Sequence, residues 1–223
     1  MTTFSDVAEP KPFHHGNLRA VLLDQAQAVL RKGGLDALSL RELAREAGVS
    51  HAAPRKHFAD RDALLDALAE RGFDQLAERI ADAAARVPDD FRRALHAVAS
   101  AYLEFAVAEP ALLDLMFAAK VHNPSDAVRN AVANHMAALL RIIARGVDAG
   151  AYAPSDVERL TLVLSASVQG IGGLVTSGRI TEPQSEALIG DAIALILAGA
   201  STDGWRAFAD EHPWHFWTHQ ETR

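Results

Sequence analysis

Arg55, Lys56 and His57 follow closely on Ser50, His51 and Ala52. Cationic and hydroxyl groups gathered this tightly can grip phosphate and reach the edges of bases. Arg55 can pair with guanine O6 and N7 or clamp a phosphate, and its type alone does not choose between the two. Ala52 suits the methyl group of thymine. Arg41 and Arg61 flank the cluster as expected phosphate contacts. Backbone N–H groups at helix starts capped by Ser39 and Ser50 would add to them, since helix N-termini favour anions. No competing catalytic constellation stands out. There is no cysteine, which excludes disulfides and thiolate sites. Gln169-Gly170-Ile171-Gly172-Gly173 has the glycines of a phosphate loop but no preceding strand. His212, His215 and His219 are spaced as zinc or nickel ligands are, yet lie in a terminal tail without an ordered carboxylate. The expectation is therefore no enzyme, no cofactor and no metal.

The elements that must position the cluster can be read from the same stretch. Ser39 is a good N-cap, and Glu42 completes a capping box. Leu40, Leu43, Ala44 and Ala47 recur at helical spacing and form one apolar face. Gly48 ends that helix and Val49 plugs the angle behind it. Ser50 is expected to cap a second helix over residues 51–58, with Ala53 and Phe58 turned inward and Pro54 tolerated in its first turn. Two helices over a short turn make a helix-turn-helix, whose second helix fits the DNA major groove.

The rest of the chain keeps a period of about 3.6 residues, and no strand pattern of useful length appears. Helices are expected over residues 17–32, 60–86, 89–108, 110–120, 126–148, 155–177 and 182–200, with caps at Asp60, Ser155 and Thr181. The fold class is all-α: a helix-turn-helix domain over residues 1–60, a helical-bundle domain over 61–200, and a tail over 201–223. That tail holds all three tryptophans, Trp205, Trp214 and Trp217, and is expected to pack on the body. Charge divides the same way. Residues 1–60 carry 8 Lys/Arg against 7 Asp/Glu, whereas residues 61–223 carry 14 against 22. An acidic body is repelled by phosphate, so only the first part can face DNA. No secretory leader and no membrane span are read in the chain, and the expected location is the cytoplasm.

These residues resemble a TetR-family transcriptional regulator over residues 14–70, and the helix count agrees to about residue 200. Ser39, Ala44, Gly48, His57-Phe58 and Asp60-Arg61 carry the resemblance. The family usually has Tyr at the place of Arg55 and Lys at that of Arg61, positions that commonly meet phosphates. Arg can serve in both, with a different geometry. The resemblance implies a homodimer on a palindromic double-stranded DNA operator, an all-helical effector domain, and repression released by a small molecule. It also implies that Glu158–Ser177 and Glu182–Ala200 pair across the dimer axis. The effector pocket is then expected among the helices of 61–177, with Phe73, Tyr102, Phe105, Met116, Phe117, His135, Met136 and Gln169 as candidate contacts for a hydrophobic or aromatic molecule. Two alternatives stay open: a corepressor-dependent regulator, and a helical small-molecule-binding protein or enzyme with a structural N-terminal region. The segment Phe13-His14-His15-Gly16 reads equally as an arm into a neighbouring groove or as a helix cap.

Overall fold

The computed structural model describes residues 18–121 and 124–200, so the 13–16 segment and the aromatic tail lie outside the described residues. Among the described residues eight α-helices follow in order: α1 Leu18–Gly33, α2 Leu40–Glu46, α3 Arg61–Ala85, α4 Phe91–Ala108, α5 Pro110–Val121, α6 Asp126–Asp148, α7 Val157–Thr176 and α8 Glu182–Ala200. No strand occurs among the described residues. The chain divides into two compact units after Leu68, inside α3, where a boundary near Asp60 is expected from sequence.

In the first unit, Leu22, Leu23, Ala26 and Leu30 form the buried stripe of α1. Leu38, Leu43, Ala44, Ala47, Phe58 and Leu64 complete a small core. The Arg19 guanidinium lies 5.5 Å from the centre of the Phe58 ring, a cation–π contact over the end of that core. Gly48 takes φ 65°, and the turn closes as a Schellman motif: the Gly48 N–H donates to the Arg45 carbonyl and the Val49 N–H to that of Ala44.

Three local expectations are corrected. Ser39 occupies the N-cap position of α2 but makes no side-chain capping bond. Glu42 turns to Arg45 instead of reaching back, so the capping box is not formed. The stretch after Ser50 is no α-helix. Residues 51–53 form a turn, followed by a single 3₁₀ turn, Pro54–Lys56. Pro54 has no N–H to give to the Ser50 carbonyl, so the α-helical ladder cannot pass through it. The Ala53 N–H takes that carbonyl at 2.9 Å, and Lys56 donates to Ala53 at 3.2 Å, both over three residues.

Asp60 does cap α3, accepting from the Ala63 N–H at 2.9 Å. In the second unit the cap of α4 is Asp90, which accepts from the Arg93 N–H. The start of α7 also differs from expectation. Pro154–Asp156 forms a 3₁₀ turn, and Asp156 stands at the N-cap in place of Ser155. The buried Asp156 carboxylate is engaged sideways with Arg159. Thr181 and Gln184 form a reciprocal capping box at α8, with the Thr181 N–H donating to Gln184 Oε1 at 2.9 Å.

Helix α7 packs on α4, α6 and α8, and α4 on α5, α6 and α8. By length and mean hydropathy of 1.2, Pro154–Thr176 would be apolar enough to cross a membrane. Its Leu160, Leu164 and Ile171 are buried in the bundle, and 28% of the apolar stretch is buried in all. Three glycines in this unit permit close approach, Gly72 under Met116 among them. A Cβ on Gly146 would lie 2.4 Å from the Tyr152 phenol, and one on Gly172 would lie 3.2 Å from Tyr102 Cε1.

Candidate nucleic-acid interface and ligand cavity

The 3₁₀ turn presents its groups outward. Pro54 and Phe58 are buried, while Ser50, His51, Ala52, Arg55, Lys56 and His57 are exposed. Ser39 and Arg41, at the start of α2, are exposed too. Ala53 is half-buried, a weaker inward residue than expected. Fixing Pro54 and Phe58 in the core therefore orients the whole run between them, with no long helix needed.

Arg61 is exposed, but its guanidinium is engaged within its own unit. Nη2 donates to the Leu35 carbonyl at 2.6 Å, and Nε approaches that of Leu38 at 3.4 Å. It ties the first turn of α3 to the turn before α2. Glu42 and Arg45 form an exposed pair on α2. The Arg45 hydrogen bond holds the Glu42 carboxyl below its ordinary value. Sequence reasoning assigns Arg45 no role in this surface, and its pairing with Glu42 confines it beside Arg41.

The second unit encloses a cavity of about 490 Å³. Phe73, Leu76 and Ile80 from α3, Leu95, Val98 and Tyr102 from α4, and Val132, His135, Met136 and Leu139 from α6 form much of its wall. Helix α7 adds Thr161, Ser165 and Gln169, α5 adds Phe117 and Lys120, and α8 adds Ile193. This size is ordinary for a pocket holding a small organic molecule. Of the eight expected contacts, Phe73, Tyr102, Phe117, His135, Met136 and Gln169 line it. Phe105 and Met116 do not. Phe105 is fully buried, and the Arg79 guanidinium lies 5.3 Å from its ring centre. Met116 is fully buried against the bare Cα of Gly72. Both are packing residues.

Sequence reasoning misses Thr161 and Ser165 because neither type stands out in a helix. A signal is present all the same, since Thr161, Ser165 and Gln169 recur every four residues on α7. Thr161 spends its hydroxyl proton on the Val157 carbonyl at 2.7 Å, leaving the oxygen as an acceptor. Burial, helped by the Lys120 ammonium, pushes His135 down to about 4, so its ring is neutral at pH 7. The ring lies 6.0 Å from that of Phe73, tilted. Burial likewise raises the Tyr102 phenol above its ordinary value.

Two family models match the chain. Residues 22–68 match that of bacterial regulatory proteins of the tetR family, and residues 95–195 that of the tetracyclin repressor-like C-terminal domain. A solved protein of unknown function from Rhodococcus sp. RHA1 is 41% identical with a TM-score of 0.78, the match covering 86% of this chain and all of that one. A TetR-family transcriptional regulator from Rhodococcus sp. is 20% identical with a TM-score of 0.65, over 81% and 98% of the two chains. The TetR-family regulator PfmR of Thermus thermophilus is 20% identical with a TM-score of 0.58, over 79% and 97%. No curated protein sequence gives a significant match. The outward basic turn, the all-helical unit with its cavity, and both family matches coincide on one conclusion: the chain belongs to the TetR family and is a DNA-binding transcriptional regulator.

Proposed function

We propose that the protein is a homodimeric repressor that leaves its palindromic operator when a small, largely apolar molecule fills the cavity. The observation that carries this reading is the continuity of α3. It is one unbroken helix of 25 residues. Its first residue, Arg61, is tied to the Leu35 carbonyl, and its later residues Phe73, Leu76 and Ile80 are cavity wall. A ligand that favours one position of that wall changes the balance between two states of the same helix. It can do so only through unequal affinity for them.

Dimerisation is proposed through α7 and α8. Helix α8 has an apolar outer side. Leu195 is 74% exposed and Leu188 39% exposed. A Cβ on Gly170, Gly173 or Gly190 would meet nothing within 4 Å beyond its own stretch of helix. Each interior Gly costs a helix about 1 kcal/mol relative to Ala, so open glycines on apolar helices fit close approach by a second copy. Replacing Gly173 and Leu174 together by Arg is expected to yield a monomer by light scattering, and an unchanged dimer would reject this face. Recognition segments in such a dimer would sit about 34–36 Å apart, one turn of DNA.

The direct experiment is to sequence DNA recovered with the purified protein, then titrate that DNA in a gel-shift assay at several salt concentrations. Specific binding with a steep salt slope is expected. Failure to enrich any DNA would overturn the proposal. Addition of a cavity ligand should release the shifted band, and a strengthened band would make the ligand a corepressor.

A further inference from the structure

The cavity's polar groups narrow the chemistry of what fills it, on the footing that the cavity is the effector site. Tyr102 lines the cavity, and its hydroxyl bonds to no described residue. His135 Nδ1 is buried with no hydrogen-bond partner among the described residues. Buried polar atoms are rarely left so, and such an atom beside a cavity marks a missing partner. A neutral imidazole has one donor and one acceptor nitrogen, and a phenol both gives and accepts. A single hydroxyl can answer either group in either role. A carboxylate can only accept, and it carries a charge into walls made by Phe73, Leu76 and Val98. The charged residues of the lining are Lys120 and Glu158, both exposed and opposite in sign, so they offer an anion no net countercharge.

We propose that the effector is an uncharged, mainly apolar molecule bearing a hydroxyl group that bonds to Tyr102 and His135. Lys120 and Glu158 keep their charged ends in water and make no bond to it. The hydroxyl orients the ligand, and the apolar walls supply most of the affinity.

Three probes on one skeleton test this: biphenyl, 4-phenylphenol and 4-phenylbenzoate. Each is measured on the full chain at pH 7 by displacement of the uncharged fluorophore N-phenyl-1-naphthylamine. 4-Phenylphenol should bind about tenfold tighter than biphenyl, and 4-phenylbenzoate weakest of the three. Tyr102→Phe keeps the ring and removes the hydroxyl. It should weaken 4-phenylphenol about fivefold and leave biphenyl unchanged. His135→Leu should show the same split, while Lys120→Gln should keep the three probes in the same order. Tightest binding by 4-phenylbenzoate, lost in Lys120→Gln, would overturn the proposal in favour of an anion site. Equal binding of biphenyl and 4-phenylphenol would overturn it too, as would failure of all three to displace the fluorophore. The regulator reading is judged separately by the gel shift without probe, so either can fail alone.

Discussion

Replacing Arg55 and Lys56 together by Ala is expected to reduce operator affinity by about a thousandfold or more, since the proposed dimer would lose two cationic contacts to base or phosphate from each protomer. The melting temperature stays the same. Both side chains are exposed, and neither bonds to another described residue, so the folded unit is unaffected when they go. The supports of the segment, Pro54 and Phe58, are untouched and remain buried. The salt slope also falls, by about 0.9 for each phosphate that is no longer neutralised. A gel shift across a salt series, alongside thermal denaturation, measures both quantities. A double variant that still shifts the operator at wild-type concentrations would place recognition elsewhere. Single variants sort the two roles. Removing a base-reading side chain relaxes sequence preference at one position, whereas removing a phosphate-binding one weakens all sequences alike.

Gly146→Ala costs about 2 kcal/mol of stability, a fall of roughly 4–8 °C in melting temperature. The added Cβ would stand 2.4 Å from the Tyr152 ring and hydroxyl and 2.7 Å from Phe91 Cζ. Neither ring has room to retreat. Tyr152 donates its hydroxyl to the Ile143 carbonyl at 2.5 Å and packs edge-on against Phe91 with centres 5.8 Å apart. The same corner is closed by Gly150 at φ 68°, with the Ala151 N–H donating back to the Gly146 carbonyl at 2.8 Å. Overpacking here costs about 3 kcal/mol, offset by about 1 kcal/mol of helix propensity gained. Gly72→Ala is the control. Its Cβ would also be too close, at 2.5 Å, but to the flexible end of Met116. That side chain can adjust, so the cost is expected to be smaller. Calorimetry on both variants decides the matter, and equal melting temperatures would show that the Tyr152 corner yields as readily as a methionine.

The helices are legible in the sequence because their signals are local. Asp60, Gly48, Gly150 and Thr181 act within a few residues of themselves, and each does in three dimensions what its type implies. The recognition segment departs from expectation for an equally local reason. A proline is tolerable at a helix start, but the N–H that Pro54 lacks falls where an α-turn would need it. The capping residue at α7 differs because Pro154 and Ser155 hide the buried Asp156–Arg159 pair, whose burial no short window reveals. The cavity is half legible. Aromatic and histidine side chains suggest themselves as contacts, yet Phe73 lines the space and Phe105 does not. That difference depends on Arg79 covering the Phe105 ring, a contact between separate helices. The role of Arg61 is hidden likewise, since its carbonyl acceptors lie 23 and 26 residues away in the chain.

The alternation of buried and exposed residues between Pro54 and Phe58 has a consequence for how such a protein diverges. Two positions hold the shape and do not meet solvent, while His51, Ala52, Arg55, Lys56 and His57 meet solvent and hold nothing. On the proposed reading, the address this regulator reads is thus written in residues that the fold does not depend on. Mutation can rewrite the outward positions one at a time, each descendant still folding, so a new target sequence can be reached by small steps without passing through an unstable intermediate.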